Sequence, residues 1–198
     1  MSETATMAQD ETGRIGPGRL VLVVGPSGAG KDTLLRLARA ASVDDDSVVF
    51  PRRVVTRESS ADEDNIAVTS DEFRRAREHG DFAVHWQAHG HSYALSAEIN
   101  DDIRAGRTVV VNVSRTVISA LRQTYANVVV VAITAPPDVL AARLAARARH
   151  SDGNIAERLT RSVDEASAHA DVTILNAGSA DYHSRQLLRV IRNQGWQE

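Results

Sequence analysis

No cysteine occurs among the 198 residues. That absence removes disulfide frameworks, cysteine-ligated zinc, iron–sulfur clusters and thiol nucleophiles together. Lysine is nearly missing too: of 23 basic residues, Lys31 alone is a lysine. No stretch approaches the roughly 18 apolar residues of a membrane-spanning helix. Nor is there a basic excess, since the formal net charge of −3 gives no support for a general binder of nucleic acid or anionic membranes. A Gly-x-Ser-x-Gly elbow is absent, so serine hydrolase chemistry has no support. The N-terminus does not read as a secretory leader, and with no cysteine the expected compartment is cytoplasmic.

What is present fits a globular protein, with 42% hydrophobic and 25% charged residues. The length favours one compact α/β domain over two. Residues 1–17, polar and without apolar periodicity, read as a flexible extension, leaving residues 18–198 as the domain. Leu20-Val21-Leu22-Val23-Val24 is a continuous apolar run ended by Gly25, as in a strand buried on both faces of a parallel sheet. From Lys31, Leu34, Leu35, Leu37, Ala38 and Ala41 recur at helical spacing.

Farther on, Val48–Phe50 and Arg53–Arg57 read as short extended segments, and Glu58 to Asn65 as a mobile polar loop. Thr69-Ser70-Asp71-Glu72 has the pattern of a capping box, and its helix is expected to stop near Gly80. Phe82 to Tyr93 is mixed aromatic and polar. Helices are expected over 97–104, 115–124, from Pro137, over 155–168 and over 180–193. Buried strands are expected at 108–113 and 128–134, and a short strand at 172–175. This alternation implies a parallel sheet covered on both faces.

Gly25-Pro26-Ser27-Gly28-Ala29-Gly30-Lys31-Asp32-Thr33 contains the G-x-x-x-x-G-K core of a P-loop between a strand and a helix. Glycines let backbone N–H groups turn inward around phosphates, the helix N-terminus adds positive partial charge, and Lys31 neutralises β- and γ-phosphate oxygens. A dinucleotide fingerprint fits less well, because no third glycine follows Gly28 and Gly30. Where the motif expects a Mg²⁺-binding hydroxyl after the lysine, this chain has Asp32, with Thr33 next. Asp32 and Thr33 are therefore expected to share the metal shell. His85, His89 and His91 lack a helix to align them and read as structural or solvent-facing.

The P-loop, Val55-Thr56-Arg57, Phe73, Gly80-Asp81-Phe82, His89-Gly90, Tyr93, Pro136-Pro137, Arg143, Arg147 and Asn176-Ala177-Gly178 follow one another as in guanylate-kinase-like proteins, over residues 19–193. Within that superfamily the chain resembles the ribose 1,5-bisphosphate phosphokinases of phosphonate catabolism. The shared features are Gly-Pro-Ser-Gly-Ala-Gly-Lys-Asp-Thr, Arg53-x-x-x-Arg57, Asn65-Ile66-Ala67 and Trp86-Gln87-Ala88-His89-Gly90. The resemblance implies a three-layer P-loop kinase fold with a small acceptor-binding region near residues 50–95 and an arginine-bearing lid near 143–161. It also implies ATP and Mg²⁺, and formation of phosphoribosyl diphosphate from ribose 1,5-bisphosphate.

Departures from guanylate kinases favour the sugar phosphate. Those enzymes carry a second arginine where this chain has Ser60 and a tyrosine near Ile66–Val68. They have a guanine-reading glutamate where this chain has Val84, and an acidic residue at Asn112. Without that carboxylate, guanine N–H donors would go unpaired, at roughly 1–3 kcal/mol per buried group. Two phosphates instead call for guanidinium forks, for which Arg53 and Arg57 are the expected ligands. Tyr93, Asn112 and Ser114 are expected to bind phosphate or hydroxyl oxygens, and Glu63 and Asn65 to close over the sugar.

Arg143 and Arg147, four residues apart and so on one helix face, resemble lid arginines that act on the transferring phosphoryl group, with Arg149, Arg158 and Arg161 nearby. Asn176 and Gly178 resemble an adenine-binding turn. Because the acceptor is already anionic, no general base is required. The expected partners are a sugar phosphate and ATP, with no nucleic acid and no membrane, in a monomer or homodimer. A nucleoside-monophosphate kinase and a non-catalytic guanylate-kinase-like module are the alternative readings.

Overall fold

The computed structural model describes residues 13–57, 64–147 and 170–194. Its elements are β1 (Arg19–Val24), α1 (Lys31–Ala40), β2 (Val48–Val49), β3 (Arg53–Val55), β4 (Asn65–Ala67), α2 (Ser70–His79), β5 (Phe82–Ala88), β6 (His91–Ser96) and α3 (Ile99–Arg104). They continue with β7 (Thr108–Asn112), a 3₁₀ turn (Arg115–Val117), α4 (Ile118–Thr124), β8 (Val128–Thr134), α5 (Pro137–Arg147), β9 (Val172–Leu175) and α6 (Ala180–Ile191). The expected helix over 155–168 lies outside the described residues. A five-stranded sheet has the order β2-β7-β1-β8-β9, with β2 parallel to β7 and β8 parallel to β9. The α/β architecture expected from the alternation of elements is therefore present.

The backbone divides into two compact units, Met1–Leu20 with Asp46–Val128, and Val21–Asp45 with Val129–Glu198. In the second unit, Val21 to Val24 are fully buried, which is why the run shows no apolar–polar alternation. Each such side chain contributes about 1.5–3 kcal/mol of burial. Helix α1 buries Leu34 and Ala38, four residues apart, and packs on α6, whose Leu187, Val190 and Ile191 are buried. Arg192, just past α6, donates to the Ala41 carbonyl at the end of α1 (3.0 Å). Ser179 caps α6 by accepting from the Tyr182 N–H.

In the first unit, a second sheet has the order β4-β3-β6-β5. β3 and β4 are parallel, whereas β6 runs antiparallel to both β3 and β5. The stretch from Phe82 to Tyr93, which has no clear period in sequence, is a hairpin. Its two-residue turn is His89-Gly90, with φ of 51° and 78°. Two successive left-handed residues match the right-handed twist of the flanking strands, a turn that Asn-Gly more often supplies. Val54, Phe73 and Ala94 form the core beneath this sheet, with the Phe73 and Phe82 rings 4.8 Å apart.

Helix α2 starts as the capping box requires. Thr69 Oγ1 accepts from the Glu72 N–H, and the Glu72 carboxylate accepts from the Thr69 N–H at 2.7 Å, which holds its carboxyl below the ordinary range. The helix ends on Gly80 with φ 85°. Residues 13–17 differ from a free extension. The Ile15 N–H donates to Thr124 O, Ile15 O accepts from the Ala126 N–H, and Asn127 Nδ2 donates to Pro17 O, all at 2.9 Å. Residues 13–17 make these bonds through backbone groups, so their side-chain pattern carries no trace of the attachment. Residues 1–12 lie outside the described residues.

Candidate active site

In the second unit, the segment Gly25–Gly30 links β1 to α1. Gly25, Gly28 and Gly30 have φ of 145°, 83° and 89°, a region in which a Cβ is strained. A Cβ on Gly25 would overlap the Ile133 carbonyl oxygen, so strand β8 holds this end of the loop against backbone. At the other end Gly30 is the N-cap of α1 and supplies no side-chain cap. The first-turn N–H groups thus keep their capacity to bind an anion.

Lys31 opens α1, and its ammonium bends back to donate to Gly25 O at 2.9 Å and Pro26 O at 2.8 Å. The charge therefore lies over the loop. Asp32, half-buried, and Thr33, exposed, follow in the first turn. A carboxylate and a hydroxyl in the first turn of α1, beside this glycine-rich loop, form a donor set that suits a hard divalent cation. Ser27, exposed, and Ala29, buried, complete the loop with small side chains.

Two residues from distant parts of the chain brace the outside of this loop. Asn176, one residue past β9 and only 3% exposed, donates from Nδ2 to the Ala29 carbonyl at 2.8 Å. Arg143, on α5, donates to the carbonyls of Gly28 (3.3 Å), Ala29 (3.5 Å) and Asn176 (3.3 Å). A Cβ on Gly30 would overlap the Asn176 amide nitrogen. The sequence reading gives Asn176 to adenine and Arg143 to the lid; here both are bonded to the phosphate loop. Gly178 lies two residues on, 3.9 Å from His183 Nε2 measured from where its Cβ would be. Arg147 is the last residue of α5, with its side chain outside the described part. Arg149, Arg158 and Arg161 lie outside the described residues.

The residues expected to bind the acceptor belong to the first unit. Arg53 on β3 and Asn65 on β4 are register partners, and Arg53 Nε donates to Asn65 Oδ1 at 3.2 Å. The Arg53 guanidinium carbon is 5.9 Å from the Tyr93 ring centroid, within cation–π range. Tyr93 in turn stacks on Trp86, with centroids 5.7 Å apart and planes 10° apart. Asn65 is thus a buried strand residue rather than part of a mobile loop. The polar composition around it hides a three-residue strand that exists only because β3 lies alongside.

Arg57 follows β3, with its Nε buried and without a hydrogen bond while the residue makes other contacts. Asn112 ends β7, and Ser114 caps the 3₁₀ turn, accepting from the Thr116 N–H and Oγ1. Glu63 lies outside the described residues. Three residues given no site role by the sequence support this region. Trp86 supports Tyr93, Arg52 pairs with Asp64 at 2.8 Å and donates to Asn65 O at 2.9 Å, and Thr56 Oγ1 accepts from the Ser92 N–H at 2.9 Å. The Arg52-Arg53 doublet was the available signal for Arg52. Among the described residues no group of three or more histidine or acidic side chains is placed to hold a metal ion.

The guanylate kinase family model matches residues 17–194. Over the whole of both chains, the sequence is 84% identical to a Bradyrhizobium diazoefficiens protein named ribose 1,5-bisphosphate phosphokinase PhnN. A Rhodopseudomonas palustris protein of that name is 63% identical over 187 residues, 94% of this chain and 95% of that one. Among solved structures, guanylate kinase from Anaplasma phagocytophilum superposes with a TM-score of 0.66 at 18% identity, covering 91% of this chain and 87% of that one. This last likeness concerns the fold.

Proposed function

The chain belongs to the guanylate kinase family, and from that premise we propose that it transfers the γ-phosphoryl group of ATP to ribose 1,5-bisphosphate. The products are ADP and 5-phosphoribosyl 1-diphosphate. End-to-end agreement with the phosphokinase relatives carries this reading. The arginine-bearing β3 supports it, because Arg53 held by Asn65 suits a second acceptor phosphate better than a purine.

In this reading an oxygen of the 1-phosphate attacks the γ-phosphorus as the bond to the β-bridging oxygen breaks. The acceptor is already an anion, so the protein need not remove a proton. Its contribution is alignment and charge. The 25–30 loop and α1 N-terminus bind the phosphate chain, Lys31 turns from its own loop carbonyls to phosphate oxygens, Arg143 braces the loop through the Gly28 and Ala29 carbonyls, and Arg147 offsets charge at the transferring group. Arg53, Arg57, Tyr93, Asn112 and Ser114 hold the sugar bisphosphate. Asp32 and Thr33 would hold Mg²⁺, which would supply positive charge against the phosphates.

The experiment is ADP release from Mg-ATP with ribose 1,5-bisphosphate and, separately, with GMP, together with assay of the sugar product for phosphoribosyl diphosphate. Product from the sugar alone is expected. Faster transfer to GMP would establish a nucleotide kinase with Val84 in place of the base-reading glutamate, and no transfer to either would leave only a binding module.

A further inference from the structure

The bonds around Ala29 give Asn176 a task other than base recognition. In a trans peptide the C=O and the following N–H point in opposite directions. The Ala29 carbonyl points outward to Asn176 Nδ2 and Arg143, so the Gly30 N–H is directed to the opposite side of the loop. Donation to that carbonyl also polarises the same peptide unit, making its N–H a stronger donor. The fit is close, since Gly30 has no side chain and any Cβ there would overlap the Asn176 amide. Asn176 is nearly fully buried, so its amide works in a low-dielectric setting where the bond is strong and its loss costly.

We infer that Asn176 is a positioning residue for the phosphate loop, aiming the Gly30 N–H at the nucleotide's phosphate chain through the Ala29 carbonyl, with Arg143 as its partner. The inference rests on the reading of residues 25–30 as a nucleotide phosphate site. It separates the residue from adenine, because a brace acts on any ligand with a polyphosphate, whether or not it has a base. Asn176 Oδ1, buried and without a hydrogen bond, is the atom an adenine amine would use. The two roles therefore fall on different atoms of one side chain.

Asn176→Ala removes both atoms, and Asn176→Asp keeps an acceptor oxygen while removing the donor. Binding of Mg-ATP, Mg-GTP and Mg-tripolyphosphate is measured by calorimetry for the unmodified chain and for each variant, after thermal melting has established which variants fold. The brace predicts that all three ligands weaken by a similar factor, about tenfold or more, in both variants, with the ATP-to-GTP ratio unchanged. Weakening of ATP alone, or full binding retained by a folded variant, overturns it. If neither variant folds, the unmodified chain decides through amide NMR. The Gly30 resonance must then shift on adding tripolyphosphate, and an unmoved Gly30 amide overturns the inference. Failure of the unmodified chain to bind any of the three ligands would instead refute the nucleotide site itself, and the inference with it.

Discussion

Arg53 and Asn65 stand opposite each other in the parallel pairing of β3 and β4, and a 3.2 Å hydrogen bond ties the guanidinium to the amide oxygen. Removing a buried partner of this kind costs about 1–3 kcal/mol. Asn65→Ala is therefore expected to raise KM for the sugar bisphosphate about tenfold while KM for ATP stays unchanged. Steady-state kinetics with each substrate varied in turn checks this, and an equal rise for ATP would place Asn65 in general folding instead.

Lys31 is the single cation at the start of α1, and its ammonium already reaches two loop carbonyls. Lys31→Ala is expected to lower kcat by a factor on the order of 10²–10³, as when a preorganised donor to developing charge is lost. Circular dichroism should show the fold retained. Near-normal turnover would remove Lys31 from the transfer step.

Gly25 faces the Ile133 carbonyl with no room for a methyl group, at a φ of 145°. Gly25→Ala has to displace backbone on one side or the other. Loss of ATP binding together with a lowered melting temperature is expected, in contrast to Gly80→Ala, where a Cβ meets nothing and only the strain of φ 85° remains. Comparing the two variants in one melting experiment separates steric conflict from backbone strain.

Burial pushes the Tyr125 phenol up to about 12, with the charge of Arg104 opposing it in part, while its hydroxyl donates to Asn100 Oδ1 at 2.6 Å. An unfolded tyrosine ionises near 10. Between these values the unfolded chain has released a proton that the folded chain retains, so stability falls as pH rises. The contribution is fully present below pH 10 and is lost progressively toward pH 12, on the order of 2–3 kcal/mol. Urea midpoints between pH 7 and 11.5 should show this decline. Tyr125→Phe should flatten it while costing about 1 kcal/mol at neutral pH.

Strand β8 has the boundaries expected from its apolar run, because a strand buried in a sheet needs little beyond an uninterrupted hydrophobic stretch, and the short edge strand β9, with Thr173 and Leu175 exposed, also falls where expected. Helix α2 is equally legible, since Thr69, Glu72 and Gly80 are local signals. The β5–β6 hairpin is not. Its turn is His-Gly, and its strands mix exposed His85 and Gln87 with buried Trp86 and Tyr93. The site divides the same way. The phosphate loop is one contiguous motif, whereas Asn176 meets Ala29 across 147 positions of sequence, a separation no local pattern encodes.

The residues assigned to the acceptor, from Arg53 to Ser114, all fall within the uninterrupted stretch Asp46–Val128, while the phosphate loop and its brace lie on either side of it. On the proposed assignment, one continuous stretch of sequence carries the choice of what is phosphorylated. On that assignment, changes confined to that stretch would alter the acceptor without altering a codon of the 25–30 loop, Arg143 or Asn176.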